Sequence, residues 1–338
     1  MIGLKKLGIA KTVSATKTPS RPSSPIAKKR KNGRKAIVFV HGIISWHKTF
    51  NPMKDRMIVN GLISGAELYY FDYPYNESMD TNGDRLASAL CNEFSSGDDV
   101  AIVAHSMGGL VSRFAIISRP LEFVRILFLL GTPNAGAMRL SQLTALAQLA
   151  HLGTNRFFTL FPRCAGIPSL SNAASLIEAK RGGFGNALAV DYVSIPGKFY
   201  HQDRNLWKLP DSPSNAAFSA LEAVLMRISM IRMTRPHDGI VEESSNNLAL
   251  CPRDTEKLDS YGGYRGGRPA TYAHLTLAAC REVSHVQIHT NPDIIDLVTE
   301  LIALKFDASN GSSGLEDWLT KLPPERRLKY GLQVSFDT

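Results

Sequence analysis

The chain has 338 residues, 44% of them hydrophobic and 20% charged, with a formal net charge of +9. That length supports one large domain of roughly 250–300 residues, and its longest strong apolar run, Phe123 to Leu130 interrupted by Arg125, falls far short of the ~18 residues a membrane-spanning helix needs. Residues 1–35 hold eleven Lys or Arg and no acid, leaving 28 basic and 30 acidic residues, a net of −2, for the rest; this excludes a nucleic-acid-binding surface on the folded body.

In chain order, residues 1–34 come first, rich in Lys, Ser, Thr and Pro. Lys5, Lys6 and Lys11 break up Leu4, Leu7, Ile9 and Val13. The segment is therefore expected to be a disordered basic tail, without the apolar stretch of a secretory signal. Its composition also fits organellar targeting, and Lys28-Lys29-Arg30-Lys31 resembles a nuclear-localisation patch. Such a cluster would draw the chain weakly to an anionic membrane, at about 1 kcal/mol per basic residue near the surface. The expected location is the cytoplasm, with organellar targeting as the alternative.

A strand–helix alternation follows. Strands are predicted at Ala36–Val40, Leu68–Phe71, Val100–Ala104 and Ile126–Leu130. Helical spacing is carried by Leu86, Leu90 and Phe94, and then by Leu110, Val111, Phe114 and Ile117. The strands are apolar throughout rather than alternating, as in a mostly parallel central sheet with helices on both faces. Residues 138–190 break the rhythm with Leu140, Leu143 and Leu146 and then Phe157, Phe158 and Phe161, and read as a lid-like insertion. A strand resumes near Tyr192–Ile195 and a closing helix is expected over Ile294–Leu304. The segment 306–338 is left as a C-terminal extension without assigned structure.

The most specific motif is Ala104-His105-Ser106-Met107-Gly108-Gly109, between an apolar strand and an amphipathic helix. A serine hydroxyl needs a base to become a good nucleophile. A sharp strand-to-helix turn would expose it, and such a turn demands small residues two before and two after the serine. Ala104 and Gly108 fill those places, Ala104 where Gly is usual. The strand ending in Val40 runs into His41-Gly42-Ile43, where Gly42 would let the backbone approach a substrate and His41 would position the loop.

Together with Gly131-Thr132-Pro133-Asn134-Ala135-Gly136, these motifs resemble the α/β-hydrolase superfamily. Within it they resemble the lipase/esterase branch, which includes bacterial lipases and relatives of the GPI-anchor deacylase. The resemblance spans roughly residues 35–305 and implies an α/β-hydrolase fold. It also implies an ester hydrolase in which Ile43 and Met107 supply the oxyanion-hole N–H groups. In that fold the acid follows the serine and the histidine follows the acid. Asp238, in Asp238-Gly239-Ile240-Val241, is the favoured acid, with Asp203 as rival. His285, seven residues before Pro292, is the favoured base, with His289 and His274 as alternatives. The triad is then Ser106–Asp238–His285, acting on an acyl ester or lipid without cofactor or metal. Cys91, Cys164, Cys251 and Cys280 lack metal-ligand spacing, and Val286, Ile288 and Thr290 disfavour a helical zinc pair at His285 and His289. A thioesterase, an acyltransferase and a catalytically silent binding protein on the same fold remain as alternatives; a fluorophosphonate probe and product analysis discriminate among them.

Overall fold

A computed structural model describes residues 3–9, 33–43, 45, 47–75, 77–134, 190–198, 237–238, 241–246, 272–277, 283–285, 287–307, 319, 322–330 and 333–336. The predicted insertion at 138–190 lies outside these residues except for Val190, as does the helical stretch expected near 214–230. Of the cysteines, Cys91 is described and is a free, exposed thiol.

Eight strands form one sheet in the order β1-β3-β2-β4-β5-β6-β7-β8. They are β1 (Gly3–Ile9), β2 (Lys35–Val40), β3 (Glu67–Asp72), β4 (Asp99–His105), β5 (Val124–Leu130), β6 (Asp191–Ile195), β7 (Tyr272–Thr276) and β8 (Gln333–Phe336). The pairings from β3 through β7 are parallel, and the two edges, β1 on β3 and β8 on β7, are antiparallel. Among the described residues the α-helices are α1 (Asn51–Asn60), α2 (Met79–Glu93), α3 (Met107–Ser118), the single turn α4 (Glu243–Asn246), α5 (Pro292–Asp307) and α6 (Pro324–Tyr330).

The unbroken apolar strands are explained by two core layers. On one face Val38, Val40, Ile102 and Leu129 pack against Leu86 and Leu90 of α2 and Leu110, Val111 and Phe114 of α3. On the other, Ile37, Phe39, Val103 and Phe128 pack against Met53 and Met57 of α1 and Leu297, Val298 and Leu301 of α5. Successive strand residues point to opposite faces, and both faces are covered, so both registers must be apolar. Helices α1 and α5 are also joined by a two-pronged ion pair, Arg56 Nε and Nη2 donating to the two carboxylate oxygens of Asp296 at 2.6 and 2.7 Å.

One terminal expectation needs correction. Residues 3–9, placed in the disordered tail from their composition, pair along β3 from Gly3 opposite Asp72 to Ile9 opposite Glu67. Their lysines are neutralised locally, Lys5 by Asp72 at 3.0 Å and Lys6 by Glu67 at 2.7 Å, and each ammonium lies over a tyrosine of β3, Tyr70 or Tyr69. The described parts of the segment 306–338, which the sequence left unassigned, also pack into the fold. Tyr330 at the end of α6 is fully buried, its hydroxyl donates to Glu300 at 3.0 Å, and β8 closes the far edge. The closing helix reaches Asp307, three residues past its expected end.

Candidate active site

Strand β4 delivers Ser106 to the carboxyl end of the sheet. Its backbone turns at φ 54°, ψ −128°, the only non-glycine residue with positive φ among those described. A conformation of that kind costs about 1–3 kcal/mol and survives only where the surroundings fix it. Here the Ser106 N–H donates to Leu130 O at 2.9 Å, and its own carbonyl accepts from Gly109 N at 3.0 Å. The turn needs room as well. A Cβ on Gly108 would lie 2.4 Å from the carbonyl oxygens of Val40 and His41, and one on Gly42 would lie 2.9 Å from the Ser106 Cβ.

The histidine and the carboxylate arrive from the other half of the chain. His285 Nε2 lies 2.8 Å from Ser106 Oγ, and its Nδ1 lies 2.7 Å from Asp238 Oδ2. A carboxylate accepts, so Nδ1 carries the proton and Nε2 presents its lone pair to the serine O–H. The second Asp238 oxygen accepts from Val241 N at 2.7 Å, and the Asp238 carbonyl accepts from His285 N at 2.8 Å. All three side chains are buried. Gly131, at φ +56°, passes beside this pair: a Cβ there would lie 3.1 Å from Asp238 Oδ2 and 3.2 Å from His285 Nδ1. The positive φ favours glycine at that position, and a side chain there would also crowd the pair.

The structure thus brings together Ser106, Asp238 and His285. The two rival histidines have other partners. His274, on β7, sits 2.9 Å from Ser194 Oγ and 3.7 Å from Glu243. His289 packs its ring against Phe50 and His105, and burial, then the neighbouring His285, pushes its pKa down to about 3. Asp203 lies outside the described residues.

Ile43 is half-buried in the loop after β2, next to Gly42, and Met107 follows the serine as the buried first residue of α3. The first N–H groups of a helix have no acceptor within it. His41 is stacked on Tyr73, ring centroids 4.3 Å apart, and its Nδ1–H donates to Gly42 O at 2.8 Å. In a trans peptide the C=O and the following N–H point in opposite directions, so holding the Gly42 carbonyl also aims the Ile43 N–H. The Tyr73 hydroxyl adds a bond to the His41 carbonyl at 2.6 Å.

Several residues around the site were not singled out by sequence reasoning. Asn134 Nδ2 donates to Asn246 O at 2.6 Å, and Asn246 Nδ2 donates to Thr132 O at 3.0 Å. This reciprocal clasp ties the loop after β5 to the segment carrying Asp238, and Arg113 of α3 donates to Asn134 Oδ1 at 3.2 Å. Glu243, in the same segment, is anchored by Lys198 at 2.8 Å; His274 and Lys198 lower its pKa to about 2. The Gly-Thr-Pro-Asn string was a visible signal for Asn134; nothing local marks Asn246. Among the described residues no group of three His, Cys, Asp or Glu side chains is placed to hold a metal ion.

Residues 5–180 match the domain family described as "Domain of unknown function (DUF7379)". The chain belongs to this family. No curated protein matches it in sequence. Among solved structures, the mature form of the Bacillus licheniformis lipase BlEst2 is similar at a TM-score of 0.53 and 19% identity, over 82% of this chain and 96% of that one. The propeptide form of the same lipase gives the same TM-score and identity, over 86% of this chain and 55% of that one, so this chain spans about half of its length. With the sheet order and the elbow, these likenesses identify the fold as that of the α/β-hydrolases. Among the described residues no helix is long and apolar enough to cross a membrane.

Proposed function

We propose that this α/β-hydrolase-fold protein is a serine ester hydrolase of lipase/esterase type, with Ser106 as nucleophile, His285 as general base and Asp238 as its orienting acid. The observation that carries the reading is the unbroken hydrogen-bonded line Ser106–His285–Asp238, at 2.8 and 2.7 Å, starting from a serine held at positive φ. His285 takes the Ser106 proton as Oγ attacks the ester carbonyl. Asp238 stabilises the imidazolium that results. The N–H groups of Ile43 and Met107 receive the oxyanion, and the positive end of the α3 dipole points the same way. Collapse releases the alcohol, which takes the proton from His285. Water, activated by the same imidazole, then frees the acid. No cofactor enters. The Leu and Phe residues of 138–190 favour an apolar acyl chain as substrate, and the basic cluster at residues 28–31 favours weak contact with an anionic membrane. The cytoplasm is the location we assign, with organellar targeting as the alternative.

The test is covalent labelling with a fluorophosphonate, paired with hydrolysis of p-nitrophenyl esters of increasing chain length. Wild type should label at Ser106 and Ser106→Ala should not, while its ester turnover falls by several orders of magnitude. Labelling at another residue, or turnover by Ser106→Ala within tenfold of wild type, would sink the reading.

A further inference from the structure

His285 is held at more points than the triad requires. Both ring nitrogens are used, by Asp238 and Ser106, and its backbone N–H donates to the Asp238 carbonyl at 2.8 Å. Its remaining polar atom, the backbone carbonyl oxygen, lies 2.7 Å from Nε2 of His105, which is 180 positions away and adjacent to the nucleophile. A carbonyl only accepts, so His105 Nε2 carries the hydrogen and donates it.

His105 is well placed to anchor something else. Its backbone closes β4, paired with Leu130 of β5, and the next N–H donates to Leu130 as well. Its ring is buried, with centroids 4.8 Å from the rings of both His285 and His289. The Nδ1 atom of His105 is buried without a hydrogen-bond partner among the described residues, and it lies against Gly42, 3.2 Å from where a Cβ would stand. An unpartnered buried nitrogen costs stability, yet the side chain spans the gap between the sheet and the loop of the base. Burial, and then the two neighbouring histidines, hold its pKa well below the ordinary value, so it stays neutral. A second cation beside His285 would oppose the imidazolium that must form there; a neutral donor does not.

The geometry points to His105 as a positioning residue for the base: its Nε2–H holds the His285 carbonyl and thereby fixes the imidazole at reacting distance from Ser106. This rests on the reading of Ser106, His285 and Asp238 as the catalytic triad. With the bond in place, the His285 backbone is fixed on both sides, by Asp238 and by the sheet. Without it, the His285 backbone keeps, among the described residues, only its bond to the Asp238 carbonyl, and the ring can shift relative to Ser106. A displacement of about 1 Å at a reacting group can cost on the order of 100-fold in rate. Substrate contacts are untouched, so the loss falls on kcat rather than on KM.

The experiment compares wild type, His105→Leu, His105→Gln and His105→Asn, after circular dichroism and thermal melts have checked folding. A Gln side chain carries an amide N–H to about the place of Nε2; Leu fills space without a donor, and Asn is too short. We expect His105→Leu and His105→Asn to lose about 10- to 100-fold in kcat, with KM within about threefold, and with a matching drop in the rate of fluorophosphonate labelling. His105→Gln should recover most of that loss. A folded His105→Leu within twofold of wild type overturns the proposal, as does equal damage from Leu and Gln, which would make the role one of volume. Should the Leu and Asn variants not fold, 15N-histidine spectra of the wild-type protein decide: the neutral Nε2–H tautomer supports the proposal, and the Nδ1–H tautomer removes the donor and overturns it. Wild-type protein that does not label at Ser106 marks a failure of the triad reading instead, since that measurement does not involve His105.

Discussion

At the scale of single residues, the two histidines four positions apart in Val283-Ser284-His285-Val286-Gln287-Ile288-His289 have opposite expected phenotypes. His285 reaches Ser106 and Asp238, whereas His289 is buried against the rings of Phe50 and His105. His285→Ala should therefore abolish ester turnover nearly as fully as Ser106→Ala with little change in melting temperature, if the proposed triad acts as a unit. His289→Ala should do the reverse, costing stability while keeping most of the activity. Parallel melts and steady-state assays check both, and a stable but inactive His289→Ala would reverse the assignment. Spacing alone leaned toward His285 without excluding His289 or His274. The elbow string and Asp238-Gly239 were visible in the sequence because each is dictated by local backbone geometry. The tie from His105 to His285 was not visible, because the partner is a backbone atom, which no residue type encodes.

At the scale of elements, strands β2, β4 and β5 were readable because both their faces are buried, which leaves a continuous apolar run. The edge strand β1 was not. Half of it meets water, so its Lys5 and Lys6 looked like the start of a solvated tail, although their charges are answered by Asp72 and Glu67 across the ladder. Strand β8 is only four residues long, too short to carry a pattern. Deleting residues 1–9 should expose the edge of β3, lowering the melting temperature by about 5 °C and promoting association. Turnover of a soluble ester should survive, since β3 and β2 stand between β1 and the strand bearing Ser106. Calorimetry and light scattering read the first effect; an unchanged melt would show that β1 adds nothing to the domain. The asparagine clasp gives a second test. Asn246→Ala leaves the buried Thr132 carbonyl without that donor, at a cost of about 1–3 kcal/mol. Because the same segment carries Asp238, kcat should fall as well; a loss of stability with unchanged kcat would confine the clasp to the fold.

At the scale of the whole molecule, the buried histidines set the response to acid. His105 and His289 are both held below the ordinary histidine pKa, chiefly by burial. The unfolded chain, with ordinary values near 6.5, then binds protons that the folded chain refuses. Stability should be full above about pH 6.5 and fall as the pH drops from there toward the folded value of about 3 for His289. Each such group adds at most about 1.4 kcal/mol per pH unit to the slope. Glu243, lowered to about 2 by His274 and Lys198, adds its share only below the ordinary carboxylate range, down to pH 2. Urea midpoints measured from pH 7.5 to 4.5 should decline in wild type and decline less steeply in His289→Ala; equal slopes would mean that His289 titrates normally in the fold. The distance of 179 positions between Ser106 and His285 has a different consequence, in time. During synthesis the elbow, its strand and its helix emerge long before His285. Until then the serine has no base, and a hydroxyl without one is chemically quiet. On the proposed triad, a chain cut between the two residues carries no activated nucleophile to acylate at random, and reactivity toward an activated-serine probe would report that the chain has been made past His285 and has folded around it.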